Sequence, residues 1–184
     1  MKKTARTAFV LMWLLVATVT GYSQQGIFEA ASEGNLAEVK WCLEHGYDLE
    51  AGATQNMTAL WCAASCGHLD VVKFLVGKGA NMNIGLGYCV GWTTPLMEAA
   101  EKGHLDVVKF LVKSGSDVNA HPKLGDTPLL LAARSGHLDV VKFLVDKGAN
   151  VNKGDWHGGT PLKYATHYGK KDVAKFLKQH GAKE

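Results

Sequence analysis

The sequence predicts an all-α repeat solenoid, in which pairs of helices stack in a single row around a continuous core. The ten residues GHLDVVKFLV occur three times, at 67–76, 103–112 and 136–145. Two series of glycines, one of which starts at Gly34 and the other at Gly46, recur with successive steps of 33, 36, 33 and 33 residues. Self-similarity at such a period indicates units that bury their apolar faces only against their neighbours.

The first 23 residues differ in composition from the rest of the chain. A basic start is followed by an apolar run over 8–17 and then by small residues up to Ser23. A membrane-spanning helix needs about 20 apolar residues, whereas the core of a signal peptide needs roughly 7 to 15. We therefore predict a secretory signal of the bacterial, exported type over 1–23, with an uncleaved anchor or a buried first helix as the alternative. The mature protein is expected in the periplasm or outside the cell.

The charge balance argues against nucleic acid as a partner. The whole chain has 20 basic and 17 acidic residues, and removal of the signal takes away three basic residues, which leaves 17 of each sign. A nucleic-acid-binding protein needs a basic surface to displace counterions from phosphates. The lysines of the last helical segment alternate with apolar residues, which is typical of a solvated helix face. We expect a monomer with no membrane association after signal cleavage.

The first helix of each repeat has a recognisable start. Thr-Pro-Leu occurs from Thr94, Thr127 and Thr160, and it places a capping hydroxyl before a proline that suits the first helical turn. Each of these segments continues through small residues, such as the pair Ala99 and Ala100, to a glycine of the first series. We predict a short helix that the glycine closes.

The second helix follows directly after that glycine. An aspartate such as Asp70 lies in its first turn, where a carboxylate interacts favourably with the helix dipole. Val72, Leu75 and Val76 have the spacing of an apolar helical stripe. A glycine such as Gly79 is predicted to end the helix.

These motifs resemble the ankyrin-repeat family. The resemblance rests on the Thr-Pro-Leu starts, the Ala-Ala pairs, Gly-His-Leu-Asp-Val-Val and endings such as Gly-Ala-Asn-Val-Asn, and it covers about residues 25 to 184. It implies helix-turn-helix pairs that are separated by hairpin-like fingers and stacked into a curved solenoid that binds proteins on its concave side. The predicted repeats are 24–52 as the N-terminal cap, 53–83, 84–119 with a three-residue insertion, 120–152, and 153–184 as the C-terminal cap.

One position departs from the family pattern. The histidine that usually follows Thr-Pro-Leu is replaced by Trp61, Met97, Leu130 and Lys163. We therefore expect that the hydrogen-bond network often built there is absent and that apolar packing takes its place.

Catalytic motifs are not evident, and we predict a protein that is not an enzyme and has no cofactor. His68, His104 and His137 occupy the same slot of successive repeats, so their spacing reflects architecture rather than a convergent metal site. The segment Gly85 to Gly91 resembles a nucleotide-binding glycine loop, but it has one residue too many and follows a turn rather than a strand. It is better explained as an insertion in a finger.

The four cysteines leave two alternatives open. Cys42 and Cys62 fall on or beside the predicted core, Cys66 ends a first helix, and Cys89 lies in the long finger. An exported chain permits disulfides, for which Cys42 with Cys62 is the candidate pair, but free buried thiols suit these positions equally well. An alternative function is therefore an exported metal- or redox-active protein that uses Cys66, Cys89 and neighbouring histidines.

Function is expected where residues vary between repeats, at the finger tips and at the exposed ends of the first helices. Aromatic residues and arginine are the side chains most enriched at binding hot spots. Trp156 and Tyr168 could instead pack against the last repeat, since large aromatic residues bury readily. The predicted partner-binding residues are Tyr88, Lys123, Arg134, Trp156, His157, His167 and Tyr168.

Overall fold

The computed structural model describes residues 25–50, 57–84, 93–121 and 125–183, and the predicted signal over 1–23 lies outside them. The described residues form ten helices in five consecutive pairs, which confirms the predicted all-α solenoid. Among these residues, no helix is long and apolar enough to cross a bilayer. The helices are α1 Gln25–Ser32, α2 Leu36–Glu44, α3 Ala59–Cys66, α4 Leu69–Gly77, α5 Pro95–Lys102, α6 Leu105–Lys113, α7 Pro128–Ser135, α8 Leu138–Asp146, α9 Pro161–His167 and α10 Lys171–Gln179.

The helices stack in two rows. The first helices of the pairs are α1, α3, α5, α7 and α9, and each contacts the next one along the chain. The second helices, which are α2, α4, α6, α8 and α10, form another row with fewer contacts between neighbours. Closer packing in the first row is explained by alanines that let backbones approach. The alanines concerned are fully buried: Ala63, Ala64, Ala99, Ala100, Ala132 and Ala133.

Threonine side chains cap four of the first helices, as the sequence predicts. The Thr94 hydroxyl accepts a hydrogen bond from the Met97 amide at 3.3 Å, and Thr127 accepts from Leu130 at 3.1 Å. Thr58 and Thr160 make the same contact three residues ahead. Such a cap stabilises a helix by about 1 kcal/mol. The caps at Thr94, Thr127 and Thr160 are those that the Thr-Pro-Leu motif predicts, and Thr58 caps its helix without a following proline.

The second helices bury a stripe that differs slightly from the predicted one. In α4, Val71, Val72 and Leu75 are completely buried, whereas Val76 is half-buried. The helix packs against the first helix of its own repeat and against the second helices of the neighbouring repeats. Its buried face is therefore wider than the predicted stripe and includes Val71. The equivalent residues of α6 and α8 are buried in the same way: Val107, Val108, Leu111, Val140, Val141 and Leu144.

Histidines join neighbouring repeats at the turn between the two helices. The Nε2 atom of His104 donates to the carbonyl oxygen of Ser65 at 3.0 Å, and that of His137 donates to the carbonyl oxygen of Glu101 at 2.9 Å. His68 makes the equivalent bond to Ser32. Each ring also packs on the turn glycine of the preceding repeat. These contacts agree with the interpretation that the histidine spacing is architectural.

Asparagines make a second set of contacts between repeats, at the base of the fingers. The Asn119 side-chain amide donates to the Gly148 carbonyl at 3.1 Å, and its oxygen accepts from the Asn150 amide at 2.9 Å. Asn152 bridges to Gly181 and Lys183 in the same way. The last asparagine of the endings Gly-Ser-Asp-Val-Asn and Gly-Ala-Asn-Val-Asn therefore connects successive fingers.

The expectation of apolar packing three residues after each capping threonine holds for Met97, Leu130 and Trp61 and fails at Lys163. Met97 and Leu130 are fully buried. Trp61 is half-buried, and its indole N–H donates to the Thr93 hydroxyl at 3.2 Å. Lys163 is exposed and its Nζ atom donates to the Gly158 carbonyl at 3.1 Å. Trp61 nevertheless packs against the hydrophobic core. The expectation was wrong for Lys163, because its side chain lies in solvent.

Candidate partner-binding face

The structure describes five of the seven residues predicted to bind a partner. Tyr88 and Lys123 lie outside the described residues. Arg134 lies near the end of α7, and the other four surround helix α9 at the C-terminal end of the array. Those four are Trp156, His157, His167 and Tyr168.

Asp155 shapes the finger that carries Trp156 and His157. Its carboxylate accepts hydrogen bonds from the amides of His157 at 2.9 Å and Gly159 at 2.8 Å, and from the Tyr164 hydroxyl at 2.6 Å. Burial alone would raise the pKa of Asp155, but these hydrogen bonds outweigh burial and lower it. The hydrogen bond to Asp155 raises the pKa of the Tyr164 hydroxyl to about 12. A charged Asp155 therefore fixes the turn, and the finger is joined to helix α9.

Trp156 is held in place and yet exposed. A Cβ atom built on Gly125 would lie 2.7 Å from Cδ1 of Trp156, so the indole packs closely over that glycine in the preceding finger. Even so, 71% of the Trp156 residue surface remains accessible. The indole contacts the neighbouring finger and leaves most of its surface in solvent.

Aromatic rings continue from the finger to the end of α9. The rings of Tyr164 and Tyr168 stack with centroids 6.3 Å apart and planes 16° apart. His167 meets Tyr168 edge-on at 4.9 Å. Tyr168 is 53% exposed, so it also belongs to the surface rather than to the core.

Arg134 is anchored to the preceding repeat. Its guanidinium donates to Oε1 of Glu101 at 2.9 Å, and both side chains are about one-third or less exposed. Because the backbone carbonyl of Glu101 also accepts from His137, the ends of α5 and α7 are joined twice. This ion pair, at a partly buried position, limits the conformational freedom of the Arg134 side chain.

Asp126 connects the arginine to the last finger. Burial raises the pKa of its carboxyl, Arg134 lowers it, and the carboxylates of Asp155 and Glu101 raise it further. Among the residues that the structure describes, none donates a hydrogen bond to this half-buried carboxylate. These residues are close enough to act on one another electrostatically, and we call them, together with the exposed rings, the C-terminal face: Glu101, Asp126, Arg134, Asp155, Trp156, Tyr164 and Tyr168.

A second polar group lies between the second and third repeats, and the sequence did not predict it. Glu98 is 7% exposed, accepts from the Thr93 hydroxyl at 2.8 Å, and accepts from Ser65 at 3.4 Å. Burial raises the pKa of Glu98, and the bond from Thr93 acts in the opposite direction. Because Thr93 also receives the Trp61 indole N–H, this group joins two repeats and explains the buried charge as structural.

The three cysteines in the described residues are free thiols. Cys42 and Cys62 are buried, as predicted, but the candidate disulfide between them is not formed. Burial raises the pKa of Cys42 to about 11 and also raises that of Cys62, so neither thiol has the thiolate character that redox chemistry requires. Cys66 is exposed at the end of α3, and Cys89 lies outside the described residues. Within the described ranges, no three His, Cys, Asp or Glu side chains converge as metal ligands would.

A shallow concavity occurs on the opposite side of the array, between α2 and α4. Its volume is about 490 Å³, and Leu43, Leu49, Tyr47 and Phe74 form its apolar part. Lys40 and Lys78 lie over the Phe74 ring, with Nζ atoms 5.4 and 5.6 Å from its centroid. The polar part of the lining consists of Glu44, the Tyr47 hydroxyl and these two lysines, both of which contact the Phe74 ring.

The repeats match a family of known repeat proteins. A family model described as "Ankyrin repeats (3 copies)" matches residues 11–85, 27–122 and 96–184. The three matches overlap and together span most of the chain. The helix pairs, the threonine caps and the turn glycines described above are the features that recur through these ranges.

A fungal protein shows similarity over a shorter stretch. The "Ankyrin repeat domain-containing protein oryK" of Aspergillus oryzae is 41% identical over 54 residues, which is 29% of this chain and 9% of that protein. The chain therefore spans a small part of the length of this relative. The similarity concerns the repeat scaffold.

Proposed function

Because the chain belongs to the ankyrin-repeat family, whose members are generally scaffolds for protein interactions, we propose that it is an exported, non-enzymatic scaffold that binds another protein. Binding uses the concave row of first helices and the finger tips. The C-terminal face is the principal contact surface. A scaffold of this kind needs no catalytic group, and its specificity comes from the few side chains that differ between repeats.

The exposure of Trp156 is the observation that carries this proposal. Exposing a large aromatic ring forgoes the free energy of its burial, roughly 25 cal/mol per Å² of apolar surface. The indole is nevertheless fixed over Gly125 by the turn that Asp155 holds. A rigid, exposed aromatic side chain is typical of an anchor at a protein interface, since little conformational entropy is lost when it is covered.

Export is supported by the N-terminal pattern of a basic start, an apolar run and small residues up to Ser23. The test is to express the tagged full chain in the producing cells and to determine its N-terminus and compartment. A mature chain that begins at Gln24 in the envelope or the medium supports export. An intact N-terminus on a cytoplasmic protein contradicts it.

Binding is tested by affinity capture from the envelope and medium with the same tagged chain. The double variant Trp156→Ala, Tyr168→Ala should lose a protein that the unmodified chain retains. Met57→Ala is a matched control, because Met57 is also an exposed large apolar residue, 45% accessible, but lies in the second repeat. Circular dichroism and thermal unfolding establish that all three proteins are folded. If the double variant retains the same proteins as Met57→Ala, the C-terminal face is not the binding surface.

A further inference from the structure

The partner segment that covers the C-terminal face must match an unequal set of charges. The side chains of Glu101, Asp126 and Asp155 carry carboxylates, and Arg134 carries the guanidinium that lies among them. The described face therefore has a surplus of negative charge, although the mature chain as a whole is predicted to be neutral. This surplus results from placing residues of three different repeats side by side.

The carboxylates differ in how well they are satisfied. Glu101 is paired with Arg134 at 2.9 Å, and Asp155 accepts three hydrogen bonds from its own finger and from Tyr164. Asp126 is half-buried and receives no hydrogen bond from any described residue. Asp126 remains partly exposed, and burial raises the pKa of its carboxyl.

Covering this face with a protein would remove water from Asp126. A charge that is buried loses its solvation free energy, and this loss is compensated only if the partner supplies an opposite charge or a hydrogen-bond donor. An acidic segment would be repelled by Glu101 and Asp155 as well. Charge complementarity therefore favours a partner group that is cationic.

The exposed rings favour the same kind of group. Trp156 and Tyr168 are 71% and 53% exposed, and the faces of such rings attract ammonium and guanidinium groups. An arginine can stack on a ring and donate in a fork to a carboxylate at the same time, which a lysine cannot do. The rings provide apolar contact area, and the carboxylate fixes the position of the charge.

Resting on the proposed function, we infer that the C-terminal face binds a cationic segment of its partner protein, with an arginine or lysine side chain that pairs with Asp126 beside the Trp156 ring. Asp126 acts here as the residue that selects the partner, and Trp156 acts as its apolar anchor. Arg134 holds Glu101 away from the incoming cation and limits the number of positive charges that the face accepts.

The test is a selection from a random twelve-residue peptide library against the full-length folded protein, followed by affinity measurements with individual peptides. The expected peptides contain an arginine or lysine at a constant position next to apolar residues, and they lose binding on Trp156→Ala. Asp126→Asn, which keeps the size of the side chain, should weaken their binding about tenfold, the effect of one charge-assisted hydrogen bond. Asp139→Asn, an exposed aspartate in the first turn of α8 on the other row, should leave the affinity unchanged.

A double-mutant cycle identifies the pair directly. Replacing the constant arginine or lysine of the peptide with glutamine should weaken binding to the unmodified protein about tenfold and should have little further effect on Asp126→Asn. Thermal unfolding verifies that the variants are folded. Peptides that need Trp156 but carry no cation, or whose cation is not coupled to Asp126, would overturn the inference and leave the proposed binding face intact. A selection with no peptide that depends on Trp156 or Tyr168 would overturn both.

Discussion

Ser116 is buried in a slot that the sister repeats fill with alanine. It is 7% exposed, as are Ala80 and Ala149, and all three backbone amides donate to a leucine carbonyl five residues earlier. The Ser116 hydroxyl finds no hydrogen-bond partner among the described residues. An unsatisfied buried hydroxyl destabilises the folded state, so the repeat is weaker at this residue than its neighbours.

Ser116→Ala should therefore raise the free energy of unfolding by about 1 kcal/mol, because the alanine fits the slot without leaving a polar group unpaired. Ala149→Ser is the reciprocal control and should lower the free energy of unfolding by a similar amount. Urea unfolding followed by circular dichroism measures both. A loss of stability on Ser116→Ala would mean that the hydroxyl has a partner in the folded protein.

Glu98 provides a pH-dependent prediction, also at the scale of single residues. Burial raises the pKa of its carboxyl above the ordinary value of 4.5, so the folded state binds the proton more tightly than the unfolded state. The charged form is therefore penalised, and the contribution of Glu98 to stability falls as the pH rises from 4.5 through its raised pKa.

Glu98→Gln should remove this dependence while it keeps an acceptor for Thr93. We expect the variant to be more stable than the original protein near pH 7, by on the order of 1 kcal/mol, and the difference should shrink as the pH falls toward 4.5. Urea unfolding across this range gives the difference, in which titrations shared by both proteins cancel. A difference that does not change with pH would contradict the burial of a charged Glu98.

At the scale of the elements, the junction between two helix pairs depends on a glycine and a histidine. Gly103 closes α5 with a φ of 80°, and a Cβ atom there would lie 2.5 Å from Nδ1 of His137 in the next repeat. Gly148 has a similar φ of 87°, but nothing lies within 4 Å of its Cβ position. A comparison of substitutions at Gly103 and Gly148 therefore distinguishes the cost of backbone strain, which both share, from the cost of the steric contact, which only Gly103 has.

Gly103→Ala should destabilise the protein more than Gly148→Ala does. Both variants bear the cost of a left-handed alanine, about 1 kcal/mol, and Gly103→Ala adds a steric conflict that costs at least about another 1 kcal/mol. The excess should disappear in a His137→Ala background, because the ring is no longer there. Equal losses for the two glycines, measured by urea unfolding, would show that the histidine contact does not constrain the junction.

At the scale of the whole molecule, stability depends on neighbours rather than on one central core. Each inner pair of described helices contacts the pair before it and the pair after it. The two pairs at the ends of the described array have a described neighbour on one side only. In such an array the stability of a repeat is approximately the sum of its own intrinsic free energy of folding and the free energies of its interfaces with neighbouring repeats. The C-terminal face thus lies at one end of the described array, where the helix pair has a described neighbour on one side only.

We predict that amide hydrogens in α9 and α10 exchange faster than those in α6 and α8, because opening the last repeat breaks a single interface. Hydrogen exchange with residue resolution, under conditions where exchange is limited by opening, measures this. A partner or selected peptide bound at the C-terminal face should slow exchange in α9 more than in α6. Uniform protection in the free protein would indicate one cooperative unit instead.

Much of the fold could be predicted from the sequence, whereas little of the candidate site could. The threonine caps, the turn glycines and the burial of the second-helix valines follow from contacts within a few residues, and such contacts repeat every 33 residues. The sequence left open whether Cys42 and Cys62 pair or remain free, because that depends on contacts between repeats; in the structure both are free. The apolar packing expected at Lys163 was wrong, because that side chain lies in solvent. Trp156 and Tyr168 could be selected as candidates for the surface, but their exposure could not be predicted.

The sequence by itself determined the repeat, the start and end of the helices, and the presence of one histidine at the same position of successive repeats. A periodic pattern places the same residues in the same local contacts in every copy. The tertiary structure alone decided that Asp155 pairs with Tyr164, that Trp156 rests on Gly125, and that Asp126 remains without a donor among the described residues. These contacts join side chains of different segments across the stack. Their geometry depends on how neighbouring fingers and helices pack, which no local pattern encodes.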